Sequence, residues 1–101
     1  MSDYIKRLSG VIFKLHGCDA KHVGTIHVHE KFQDRTVWEG DVEYFALKQH
    51  PKSLMCYAWS YFDDAGVEQF STVLEVPPVF SAEDAVRAAL IAQVKREGKE
   101  T

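Results

Sequence analysis

Residues 27–45, HVHEKFQDRTVWEGDVEYF, change character with a period of two. With Ile26, the apolar residues Val28 and Phe32 alternate with His27, His29 and Lys31; Trp38, Val42 and Tyr44 then alternate with Glu39, Asp41 and Glu43. Such alternation marks a strand with one buried face, because successive side chains leave a pleated backbone on opposite sides. Two such strands joined around "QDR" read as a hairpin. All the apolar positions are even-numbered, so bringing them to one face requires opposed residue numbers with an even sum. Setting Phe32 against Trp38 and Val28 against Val42 places Lys31 opposite Glu39, His29 opposite Asp41 and His27 opposite Glu43 on the reverse face. A shift of two residues would change the partners but keep base facing acid.

Downstream, "LMCYAWSY" is rich in the aromatic residues that favour strands, and "FDDAG" supplies turn chemistry before a fourth strand, "VEQFSTVLEV". "QHPKS" links the second and third strands, and Pro77 and Pro78 end the sheet, since proline cannot donate to a ladder. Upstream, Tyr4, Ile5, Leu8, Val11, Ile12 and Leu15 form a helical stripe, with Ser2 able to cap it and Gly17 able to stop it. "VIFKLH" within that stretch also reads as a short strand. After the prolines, "SAED" sets Ser81 as N-cap and Asp84 three residues on. The helix that follows carries Ala85, Val86, Ala89, Leu90 and Val94 on its buried stripe, and Lys95 and Arg96 near the negative end of its dipole. Residues 99–101 are expected to fray.

Short links favour antiparallel neighbours. The expectation is an α+β fold of order α-β-β-β-β-α, a four-stranded antiparallel meander with the N-terminal and C-terminal helices packed on one face. At 101 residues, the chain is expected to form a single domain over residues 1–101.

With 46% hydrophobic, 12% aromatic and 27% charged residues, this is the composition of a globular protein. The formal charge of −3 disfavours nucleic-acid partners, and the charged N-terminal segment resembles neither a signal peptide nor a membrane span. Cys18 and Cys56, with no CxxC spacing, fit two reduced thiols and a cytoplasmic location.

Three readings of function follow. The His27/His29 pair with Asp41 or Glu43 across the ladder is either a charge-paired wet face or a divalent-metal site of two histidines and a carboxylate, with His16, Cys18 and His22 as further candidates. Met55, Tyr57, Trp59 and Tyr61 share one face of the third strand, and are either core or an exposed interaction surface. Lys31, Arg35, Lys48 and Lys52 are too few to make that stripe a convincing nucleic-acid platform. Catalytic signatures are absent except for Cys18 between His16 and His22, a possible thiolate–histidine pair.

"HVHEKFQDRTVWEG" is similar to the first cupin motif, an HxH pair followed by a glutamate and then a glycine. His27 and His29 match the pair and Gly40 the glycine, while Gln33 occupies the glutamate position. The resemblance implies His27 and His29 as metal ligands, with Gln33 a weak or absent one. It departs from the family where Lys21 replaces an expected glycine and where no histidine follows His50 to form a second motif. The reading favoured by the residues themselves is a small non-catalytic binding or protein-interaction module that self-associates as a homodimer, without a cofactor. The alternative is a small metal-binding protein.

Overall fold

In the computed structural model, which describes residues 2–98 and their side chains through residue 93, the sequence periods become elements with little slippage. Helix α1 spans Asp3–His16. Strands β1 (Ala20–Phe32), β2 (Arg35–Leu47), β3 (Met55–Phe62) and β4 (Glu68–Leu74) follow, then helix α2 (Ala82–Gly98). The strands form one antiparallel sheet in the order β1-β2-β3-β4, so the expected α+β meander and element order are present. The expected roles of the Val94, Lys95 and Arg96 side chains and of the tail 99–101 lie outside the described residues.

Local chemistry sets the ends of the elements. The Ser2 hydroxyl accepts from the Ile5 amide, and Gly17, at φ 70°, closes α1 by donating to the Phe13 carbonyl. "VIFKLH" is therefore helix. At α2 the Asp84 amide donates to Ser81 Oγ at 3.1 Å, while the Asp84 carboxylate accepts from the Phe80 amide at 3.0 Å. In the turn after β3, the Asp63 carboxylate accepts from the Val67 amide, the Gln69 side chain and the Ala65 amide, which hold its carboxyl below the usual range.

The placement of the helices differs from the expectation of one shared face. Helix α1 buries Ile5, Leu8 and Ile12 against Phe45, Leu47, Cys56 and Ala58. Helix α2 buries Ala82, Ala85 and Val86 against Val28, Val42, Tyr57 and Trp59. Neighbouring residues of β3 thus belong to different clusters, and since they point to opposite sides of the strand, the helices cover opposite faces. The cause is that β3 is apolar on both faces: Cys56 and Ala58 on one, Tyr57 and Trp59 on the other.

The β1–β2 register is also shifted by two residues from the pairing of Phe32 with Trp38. His27 faces Asp41, His29 faces Glu39, Ile26 faces Val42 and Glu30 faces Trp38. The turn explains the shift. Gln33 (φ 52°) and Asp34 (φ 64°) are both left-handed, as a two-residue type I′ turn requires, and the close pairing of Phe32 with Arg35 is absorbed by a register break beyond Glu30. As a result Phe32 is 65% exposed, and Glu30 takes the inward position, where its carboxylate accepts from Arg87 Nε of α2 at 2.7 Å. A second break, between His22 and Gly24, leaves Val23 exposed.

Candidate functional site

Three groupings of polar or apolar side chains stand out on this scaffold. The first is the histidine pair of the hairpin. After the break at Val23, odd-numbered residues of β1 and β2 share the face that carries α1. His27 Nδ1 lies 2.9 Å from Asp41 Oδ1, and its Nε2 lies 3.0 Å from Glu39 Oε2. Both ring nitrogens thus meet carboxylates, a geometry that suits an imidazolium donating twice. His29 turns instead to Thr36 Oγ1 at 2.7 Å. Glu43 is drawn away from both, accepting from Thr25 Oγ1 at 2.5 Å and contacting His22 Nε2 at 2.8 Å. The four residues named for a metal therefore divide between two clusters, and no group of three or more His, Cys, Asp or Glu among the described residues is arranged to hold an ion.

The hydrogen bond from Asp41, then that from Glu39, raises the His27 pKa; that of Glu39 is lowered, first by its bond to His27. The raised histidine contributes stability that is fully present below its unfolded pKa and is lost as pH rises through the folded value. The depressed carboxylate contributes stability that is lost as pH falls through its own folded value. NMR titration is expected to show His27 titrating above 6.5, the ordinary value, with Asp41→Asn and Glu39→Gln each moving it back. A midpoint unmoved by both substitutions would contradict this geometry. The pair is solvent-exposed, so its energetic contribution is small.

The second grouping was not anticipated from sequence. Tyr44 and Tyr57 face each other across β2–β3 with rings stacked 4.8 Å apart, and both hydroxyls donate to Glu75, Tyr57 at 2.5 Å and Tyr44 at 3.0 Å. Burial, then the bonded carboxylate, pushes both phenols above their ordinary pKa, which keeps them protonated donors. The available signal was Glu75 itself, an acid in the apolar run "VLEV". Its partners satisfy it, and the cluster has no free nucleophile.

The aromatic stripe of β3 is core at its centre. Tyr57 and Trp59 are buried beneath α2, so they do not form the exposed interaction surface entertained for Met55, Tyr57, Trp59 and Tyr61; Met55 and Tyr61 are half-buried. Trp59 meets Trp38 edge to face at 5.8 Å, and Trp38 lies over Gly40, where an added Cβ would come within 3.1 Å of the indole. Gly40 is thus a packing glycine. Cys18 is buried in the α1 cluster, while His16 Nε2 lies 2.9 Å from Thr72 Oγ1 and His22 contacts Glu43. Neither ring is engaged with the thiol, so the thiolate–histidine arrangement is not formed.

The third grouping is a cleft of about 690 Å3 between α2 and β4. Trp38, Trp59 and Tyr61 line it from the sheet, Ala89 and Leu90 from the helix, and Ser71 from β4. Exposed Leu15 and Phe62 border it, and β4 is an edge strand.

Comparison with known families, curated proteins and solved structures yields no match. The cupin-like stretch must therefore be judged by its geometry. Its sheet is open and four-stranded, its Gln33 sits in the hairpin turn, and its Gly40 packs under an indole. Gln33 is not placed as a third ligand.

Proposed function

We propose that this chain is a non-catalytic interaction module that self-associates as a homodimer. The observation that carries the reading is the open, aromatic-lined cleft beside β4, flanked by exposed Leu15 and Phe62, whereas the His27 and Tyr44–Tyr57–Glu75 clusters are closed upon themselves. Exposed apolar surface next to an unpaired strand favours association, and hydrogen-bonded acid–histidine and tyrosine–acid clusters leave little for chemistry. No helix among the described residues is long and apolar enough to cross a membrane. The two free, buried cysteines suit a reducing compartment such as the cytoplasm.

Size-exclusion chromatography with light scattering, on protein without a tag, is expected to give twice the 11.5 kDa chain mass at high concentration. A single-chain mass at every concentration would remove the proposal. The reading involves no metal, and elemental analysis that returned a stoichiometric divalent ion would redirect it to His27 and His29.

A further inference from the structure

We propose that the homodimer forms by antiparallel pairing of β4 with β4 of a second copy about a two-fold axis at Ser71, joining two four-stranded sheets into one. This deepens the self-association reading and rests on it. The sheet has two edges, and they are unlike. β1 carries Lys21, His22, His27, His29, Glu30 and Lys31 and is broken at Val23, features that discourage a strand from docking. From Gln69 to Leu74, β4 has no ionisable side chain, no proline and no break in its pairing with β3.

The backbone of β4 specifies what can dock there. Glu75 N donates to the carbonyl of Met55 and Val67 O accepts from the Asp63 amide, so odd-numbered positions at both ends of β4 bond toward the β3 side. In an antiparallel ladder this alternates, so the amides and carbonyls of Phe70 and Thr72 point away from the sheet. An extended strand is the occupant that satisfies such a row of donors and acceptors.

A second copy fits that row in register, face and charge. An axis at Ser71 sets Phe70 opposite Thr72 and Thr72 opposite Phe70, so each pair exchanges both backbone bonds; Gln69 then faces Val73 and Glu68 faces Leu74. The opposed residues share parity, so the α1 faces of the copies are continuous and so are the α2 faces. No like charges meet. Ser71 faces its own counterpart in a pair without backbone bonds, the kind in which side chains come closest.

Three variants test the arrangement, with circular dichroism confirming the native fold of each. Ser71→Lys places two ammonium groups face to face and is expected to raise the dimer dissociation constant by about tenfold or more. Ser71→Cys is expected to form a disulfide-linked dimer under mild oxidation, since native Cys18 and Cys56 are buried; Val23→Cys on the β1 edge is not. A wild-type dimer that is indifferent to Ser71→Lys and uncrosslinked by Ser71→Cys overturns the β4 pairing while leaving self-association intact. Crosslinking through Val23→Cys alone moves the interface to β1 and overturns it as well. A wild-type monomer overturns the self-association reading itself, and protection of β4 amides by a foreign extended peptide would then assign the edge to another chain.

Discussion

Trp59→Ala is expected to destabilise the protein by about 3–5 kcal/mol, the cost of emptying a large buried site that cannot fully collapse. Trp59 is 2% exposed, in the middle of the cluster formed by α2 and the sheet. Its ring meets the edge of Trp38, so truncation removes an aromatic contact along with the buried area. Against the 5–15 kcal/mol typical of whole domains, roughly a fifth or more of the stability would go. Denaturant melts at several protein concentrations give the measurement. A loss of the same size throughout marks a core residue, whereas an unchanged melt accompanied by loss of the dimer would mark an interface residue and refute the packing described for α2.

Leu8→Ala should cost about 2–5 kcal/mol by the same mechanism on the other side of the sheet. Leu8 is fully buried among Ile5, Ile12, Phe45 and Cys56. A helix of 14 residues is marginal alone in water, so α1 depends on this docking to persist. The variant also reports on the layering. Both tryptophans belong to the α2 side, so the emission of the folded variant should match the wild type even as its melting midpoint falls. A red-shifted emission from the folded state would mean that the two clusters are not separated by the sheet.

The elements of the fold were legible because each signal was local. Ser2 and Gly17 bounded α1, Ser81 and Asp84 opened α2, and alternation marked β1 and β2. The layering was not read from the same residues, although the clue was present in "MCYAWS", where both faces of a strand are apolar and both need cover. The register was missed by two positions because it depends on the conformation of Gln33 and Asp34, neither of which is the glycine that would have announced a type I′ turn. Of the candidate sites, the pairing of His27 with acids across the ladder was legible from base facing acid. Its division into a His27 cluster and a separate His22–Glu43 cluster was not, because the break at Val23 brings His22 onto the same face. The β4 cleft had no local signature, since its lining combines β4 and α2 with Trp38 of β2 and Trp59 and Tyr61 of β3, which only tertiary packing brings together.

The opposite-face helices also bear on how the chain matures during synthesis. A nascent chain can close the α1 side as soon as β3 and β4 have emerged, since all of that cluster lies before residue 75. Tyr57 and Trp59 have no such early cover, because Val79, Ala82, Ala85 and Val86 follow β4 in the chain. Domains assemble in the order in which they leave the ribosome, and apolar surface exposed in the interval invites aggregation. Helix α2 is therefore the step that covers the second side of the sheet, and a chain cut just beyond Pro78 would hold all four strands with one side bare.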